Sequence, residues 1–361
     1  MSSIGNFLKL HFGSGYYSMT SLPRLTIPHQ TTLEILSEID TMPVFRATHK
    51  IWSAGLGLRD YLSYNESQQK SIWGKKNLSL VGIKDNNGEV VTNCKLYQLN
   101  LHGRGKEYRF YGIGAVYTRA QNRHQGLASD MLEELVEQAL AEDIDGLLLF
   151  SDIGADFYNS HGFYPLGAAS FTLHLPGNLE VHQQPFYQVE LLKDSDIDFL
   201  QRHYQQWLSR QPFGFIRDQF YWHYKINKEA YLSRHSRLSW PALICLTVPG
   251  KGYAILEKGG ATLRLLEIGA IDQESLWHCI LDYAIKSHLR QLRGWEGTLA
   301  ELAPGFALDR YLKEHFIKSQ SALKLEFSER AWGAPMLLPL NPIVEDWLDN
   351  NPCPLLELDH L

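Results

Sequence analysis

The stretch from Glu107 to Phe163 constrains this 361-residue chain more than any other part of it. Tyr108, Phe110, Tyr111, Ile113, Val116 and Tyr117 form an aromatic and β-branched run, which predicts a largely buried strand. Downstream, Met131, Leu132, Leu135, Val136 and Ala139 fall on one stripe at helical spacing, so Ala128 to Ala141 reads as an amphipathic helix packed on a sheet. Between strand and helix lies Arg123-His124-Gln125-Gly126-Leu127-Ala128. Gly126 and Ala128 leave the first helical turn nearly free of side chains, so its unpaired backbone NH groups can touch a bulky polyanion. A second apolar run, Leu147 to Phe150, predicts another strand, and the stretch closes on Phe157-Tyr158-Asn159-Ser160-His161-Gly162-Phe163.

This order of parts resembles the GNAT acyltransferase superfamily, whose members bind acetyl-CoA. The pyrophosphate loop of that family reads Arg or Gln, two residues of any kind, Gly, one more, then Gly or Ala. Arg123, Gly126 and Ala128 fill it, and the strand end Val116-Tyr117-Thr118, the helix, the apolar strand and Phe-Tyr-x-x-x-Gly-Phe follow at family spacing. Arg119 and Ala120 stand where proline is common, which affects turn stiffness rather than phosphate contacts. The resemblance implies an α/β (α+β) fold with a mixed, largely antiparallel sheet splayed at the cofactor strand. It implies acetyl-CoA as co-substrate, its pantetheine arm paired with backbone at Val116, Tyr117 and Thr118. Arg123 and the amides of His124, Gln125, Gly126, Leu127 and Ala128 would hold the pyrophosphate; the bland reading of Arg123 is a solvated charge. Tyr158 falls where the family carries a general acid for the departing thiolate. The other reading is a tyrosine that packs beside Phe157.

Length calls for a second domain. The expected division is a cofactor-binding catalytic domain over 1–180, a second domain over 188–345 and a tail over 346–361. The second half repeats strand, strand and helix at Gly252–Leu256, Thr262–Ile271 and Asp272–His288, without an Arg-x-x-Gly-x-Ala loop. Asp272 opens its helix, where a carboxylate would repel a pyrophosphate. The second half therefore reads as a degenerate GNAT-like domain that has lost CoA binding. The layout, including Trp52 and Ser151-Asp152-Ile153-Gly154, is similar to fungal lysine acetyltransferases that act on the free amino acid's side-chain amine. The implied function is N-acetyl transfer from acetyl-CoA to a primary amine of a small molecule. A CoA-binding sensor or interaction protein without turnover stays open beside it.

With 34 basic against 40 acidic residues the chain carries −6, which offers no general attraction to nucleic acid or anionic membrane and mildly favours cationic small acceptors. The aromatic cluster Phe213 to Tyr224 then reads as core or domain contact rather than a base-stacking platform. Cys94, Cys245, Cys279 and Cys353 form no CxxC pair, which fits reduced thiols in a cytoplasmic protein, and no metal site is expected. No apolar run reaches the length of a membrane span, and Met1 to Thr20 is unlike a secretory signal.

Several local expectations remain. Thr31 to Asp40 reads as a helix, Lys84 to Glu89 as a tight hairpin, Pro304 to His315 as a helix, and Ala334 to Leu340 as a last strand of the second unit. Ser151, Asp152 and Asp156 are expected to cap a short helix near Gly154. The aromatics of Phe45 to Tyr64 either line the acceptor pocket the resemblance implies or simply cover the sheet. Glu107 is either a base or an edge carboxylate. Some multi-unit acetyltransferases use a terminal carboxylate as base, but this chain lacks room for their additional domain, which argues against that role for Leu361.

Overall fold

Strand pairing sorts the described residues of the computed structural model into two mixed sheets and one small ladder. The structure describes residues 32–175, 180–181, 185–238, 241–299, 316–317, 324–330, 332–349 and 353–361. The helix expected at Pro304–His315 lies outside them, and Leu33–Leu361 forms one compact unit.

The first half runs β1 (Glu34–Ile35), α1 (Glu38–Trp52), α2 (Leu58–Lys70), α3 (Ile72–Asn77), β2 (Leu78–Lys84), β3 (Val90–Gly103) and β4 (Lys106–Thr118). It continues with α4 (Leu127–Ala141), β5 (Gly146–Ser151), α5 (Asp156–Asn159) and β6 (Tyr164–Pro165). The expected hairpin is present: Asp85 Oδ1 accepts from the amides of Asn87 and Glu89, both at 2.9 Å, and Gly88 takes φ +77°. The stripe of α4 also holds, since Met131, Leu132, Leu135 and Ala139 are fully buried in one cluster with Tyr111, Ile113, Leu147 and Leu149.

The helix expected at Thr31–Asp40 begins later. Glu34 and Ile35 pair with Gly82 and Val81 of β2, and Ser37 caps α1 in a box with Asp40. The sheet edge captures the backbone that local propensity assigned to the helix. Around Gly154, Ser151 Oγ donates to the Gly154 carbonyl at 2.6 Å and shapes the loop instead of capping. Ala155 occupies the N-cap of α5 without a side-chain bond.

The second half runs β7 (Ala169–His174), β8 (Glu180–Val181), β9 (Gln188–Leu191), α6 (Ile197–Leu208), β10 (Phe213–Phe215) and α7 (Gln219–His235). Then come β11 (Leu243–Val248), β12 (Gly252–Gly259), β13 (Thr262–Ala270), α8 (Gln273–Lys286), β14 (Gln291–Trp295), β15 (Phe316–Ile317), β16 (Lys324–Glu329) and β17 (Ala334–Pro339). The first sheet is ordered β1-β2-β3-β4-β5-β17-β6 with β10 on β3, and the second β16-β7-β14-β13-β12-β11-β9. The meander β11-β12-β13, the helix α8 and the parallel strand β14 repeat β2-β3-β4, α4 and β5.

Sheet membership does not follow the division expected between residues 180 and 188. β7 precedes it yet pairs with β14, while β10 and β17 follow it and pair with β3 and β5. The first half therefore lends the second sheet β7, the second half lends the first sheet β10 and β17, and β17 belongs to the first sheet rather than the second. Apolar patterning marks a strand, but it does not name the partner.

The last residues pack into the fold. Cys353 N donates to the Gly167 carbonyl at 2.9 Å, Glu357 pairs with Arg264 of β13, and Leu361 reaches Gly112 and Gly114 of β4. Arg217 fixes this path. Its guanidinium, with no exposed side-chain surface, pairs with Glu267 of β13 at 2.5 Å and with Asp359 at 2.6 Å. Tyr253 donates to the other Glu267 oxygen at 2.6 Å, and the Tyr204 ring lies 4.0 Å beneath the guanidinium.

Two buried carboxylates thus share one cation, so removing that cation leaves both uncompensated. Arg217→Met is expected to cost about 3–5 kcal/mol of unfolding free energy, read from urea denaturation. A loss below about 1 kcal/mol would show that the triad does not hold the C-terminal segment.

Candidate active site

The site is built where β4 parts from β5. The two strands are parallel and paired only from Phe110↔Gly146 to Ile113↔Leu149, yet β4 continues to Thr118 and β5 to Ser151. On its other side β4 stays paired with β3 through Asn93↔Tyr117 and Thr92↔Thr118. Between Gly114 and Tyr117 the ladder slips, and Ala115 takes φ +50°. This bulge turns β4 away from β5 and leaves its backbone from Gly114 to Val116 facing a gap. An extended amide-bearing chain can pair there as a further strand does. Val116, Tyr117 and Thr118 form the end of β4 beyond this parting, all partly buried, with Thr118 Oγ1 2.9 Å from Thr92 Oγ1.

Beyond Thr118 the chain makes one turn of 3-10 helix, Ala120–Asn122, and enters α4. His124 and Gly126 have φ of +60° and +83°, and no side chain caps the helix. The carbonyl of Gly126 accepts from Ser129 and Asp130, but among the described residues the amides of His124 to Ala128 have no acceptor. Successive left-handed and helical residues aim such amides into one hollow. A side chain at Gly126 would meet nothing nearer than Asp130 Oδ1 at 4.0 Å, so the hollow is open. Arg123 Nε donates to the Thr118 carbonyl at 3.1 Å, which ties the loop to the strand end and leaves the exposed guanidinium beside it. These residues fit a pyrophosphate. At the corresponding point of the second half, Asp272 caps α8 by accepting from Ser275 N, so that helix start is already occupied by its own carboxylate.

Against the same strand, β4, lies a cavity of about 200 Å³. Phe45, Trp52, Tyr61 and Tyr64 form one wall, which places the early aromatics at a pocket as well as over the sheet. Ile113, Gly114 and Ala115 form the floor, so pocket and splayed strand share residues. Asn93, Lys95, Gln68, Lys228 and His360, none of which the motifs marked, line it as well, together with Asp152 and Leu361. Glu107 is exposed, pairs with His102 at the far end of β4 and does not line the pocket. Leu361 does line it, with Cδ1 2.7 Å from where a Gly112 Cβ would stand.

Tyr158 sits on α5 beside the gap, buried among Ile113, Met131 and Leu149, its ring edge-on to Phe157 and Phe163. Its hydroxyl makes no hydrogen bond among the described residues. Burial first, then Cys94 and Asp152, pushes its pKa up to about 12, so it is protonated at neutral pH. Asp152 Oδ1 accepts from Gly333 N at 2.8 Å. Lys95 donates to the Gln68 amide oxygen at 3.4 Å, its one hydrogen bond among the described residues, and burial followed by the charge of Lys228 draws its pKa down to about 7. Among the described residues no cluster of His, Cys, Asp and Glu could hold a metal, and no helix is long and apolar enough to cross a membrane.

Residues 45–166 match the family model of an acetyltransferase (GNAT) domain. No curated protein matches the chain in sequence. Among solved structures, a probable N-acyltransferase from Enterococcus faecalis superposes with a TM-score of 0.63 at 11% identity, covering 87% of this chain and 73% of that one. A GCN5-related N-acetyltransferase from Anabaena variabilis gives 0.61 at 13%, covering 85% and 72%. A second, from Kribbella flavida, gives 0.57 at 13%, covering 85% and 71%. At these identities the superpositions establish the fold, which in each case spans both sheets of this chain.

Two outcomes follow from the geometry. Gly126→Glu would put a carboxylate in the open hollow on a backbone that disfavours side chains, so calorimetric CoA affinity is expected to fall by at least 10²-fold in a folded variant. Unchanged affinity would remove the loop from the site. Lys95 binds its proton more weakly folded than unfolded, so between about pH 7 and 10.5 the unfolded chain holds more protons and stability climbs with pH. Lys95→Met is expected to raise the melting temperature at neutral pH and to flatten that climb. A lower melting temperature would contradict this.

Proposed function

We propose that this chain, whose residues 45–166 form a GNAT acetyltransferase domain, transfers an acetyl group from acetyl-CoA to a primary amine of a small molecule by direct attack. One observation carries the reading: Gly114 and Ala115 belong both to the unpaired backbone of the splay and to the floor of the aromatic pocket. A thioester paired along β4 and an amine held in the pocket would meet there, which converts a bimolecular reaction into a positioned one.

The amine nitrogen attacks the thioester carbon, a C–N bond forms, and the C–S bond breaks as the carbonyl returns. The amine gives up a proton and the departing sulfur needs one or a donor in its place. Tyr158, neutral and unbonded at its hydroxyl, can supply that donor. The loop amides of His124 to Ala128 and Arg123 would carry the pyrophosphate charge, holding the thioester in register without taking part in the chemistry. The lysine side-chain amine is the acceptor to which the sequence layout points first. A CoA-binding sensor without turnover is favoured by one feature, the engagement of the pocket carboxylate Asp152 by Gly333 N.

Tyr158→Phe separates the two. If the hydroxyl serves the leaving thiolate, the single-turnover rate drops about 10²-fold or more with CoA affinity nearly unchanged. A packing role would shift stability by about 1 kcal/mol and leave the rate per folded molecule alone. Equal rates would sink the general-acid role, and absence of turnover across a broad amine screen would favour the sensor.

A further inference from the structure

Among the described residues, two lysine side chains enter the acceptor pocket without an ion-pair partner. Lys95 stands on β3 directly opposite Gly114, level with the last residue before β4 turns away. Among the described residues its one hydrogen bond is to the Gln68 oxygen, which also accepts from Tyr224 at 3.3 Å. Lys228 comes from α7 on the opposite side, lines the same cavity and has no hydrogen bond or ion pair among the described residues. Both line the one cavity, so their charges oppose each other; burial first, then the charge of Lys228, lowers the Lys95 pKa. Neighbouring carboxylates do not relieve them. Asp152 is turned to Gly333, and Glu229 lines the adjoining cavity and attracts Lys228 only through space.

A third group in the pocket is also unmatched. Asn93 is 3% exposed, and its Oδ1 is buried with no hydrogen-bond partner. It lines the pocket two residues from Lys95 on the same strand, a separation of about 6.5–7 Å along an extended chain. Leaving such an acceptor unpaired costs about 1–3 kcal/mol, and converging two desolvated ammonium groups costs more. Sites that keep such costs in the free protein recover them when a ligand of complementary charge binds. A purely cationic acceptor would satisfy Asn93 and worsen the repulsion at the lysines.

The geometry points to an acceptor that carries an anion as well as its amine, a carboxylate or a phosphate seated between Lys95 and Lys228 while the nitrogen faces Asn93 Oδ1. This rests on the acyl-transfer reading of the same pocket and reverses, locally, the preference for cations that the net charge of −6 suggested. The adjoining cavity of about 650 Å³, which shares Lys228 and His360 with the pocket, gives the rest of a longer acceptor room to extend.

The test compares amines that differ only in the anion: L-lysine against cadaverine, and phosphoethanolamine against ethanolamine, each with acetyl-CoA. The expected result is at least a tenfold higher kcat/KM for one anionic member over its partner, and the pair that shows it tells carboxylate from phosphate. In Lys228→Met the same ratio is expected to collapse toward one through KM. Equal kcat/KM within both pairs overturns the proposal while leaving acyl transfer standing. If no amine is turned over, acyl transfer fails, and calorimetry with the same four compounds judges the pocket alone. Binding of lysine or phosphoethanolamine that is lost in a folded Lys228→Met supports the anion seat, and no binding by either overturns it.

Discussion

The ion triad of Arg217, Glu267 and Asp359 is the interaction on which the arrangement of both sheets and the pocket depends. Glu267 belongs to β13 in the second sheet, Arg217 follows β10 in the first, and Asp359 belongs to the C-terminal segment. One fully buried cation therefore ties three parts of the chain that no continuous element joins. A buried pair gives little net stability over an apolar substitute, but it tolerates only one arrangement of its partners. Here that arrangement determines where residues 357–361 run, and hence which side chains finish the pocket. Lys225 adds to it by donating to the His360 carbonyl at 2.6 Å.

The two halves are alike in order and unlike at their helix starts, which is where function divides them. Gly126 exposes the first-turn amides of α4, whereas Asp272 covers those of α8. In the second half the space beside β13 is held by the C-terminal segment through Glu357 and Asp359, pinned by Arg264 and Arg217. The repeat thus serves as a frame that delivers Lys228, His360 and Leu361 to the opening of the first sheet.

The first half was legible in the sequence because its signals are local. The Asn-Gly turn, the aromatic strand, the Arg-x-x-Gly-x-Ala loop and the α4 stripe each act within a few residues, and each element formed where expected. Where a neighbour competes for the backbone, local reading failed, as at Glu34 and Ile35, which the edge of β2 takes from the helix. Partner choice was illegible for the same reason: nothing in Ala334–Pro339 says that it will lie between β5 and β6. The pocket residues were hidden differently. Asn93 and Lys95 are polar residues in the inward part of β3, unlike the exposed Gln98 and Asn100, and nothing in Val90 to Leu101 separates the two kinds until the wall opposite them is known. Lys228 and His360 arrive from remote sequence, so no spacing could have linked them to Gly114.

The exchange of β7 and β17 bears on how the chain reaches this structure during synthesis. When β5 has left the ribosome its open edge is an apolar strand, Leu147 to Leu149, with no partner on that side. That partner is β17, which at usual elongation rates emerges roughly ten to forty seconds later. The second sheet has the converse history, because β7 is ready long before β14 exists to receive it. Folding is then forced to be nearly simultaneous for both sheets and late, a high-contact-order problem whose intermediates expose strand edges. A host expressing this chain has to keep β5 from pairing with other copies until the last quarter of the sequence arrives.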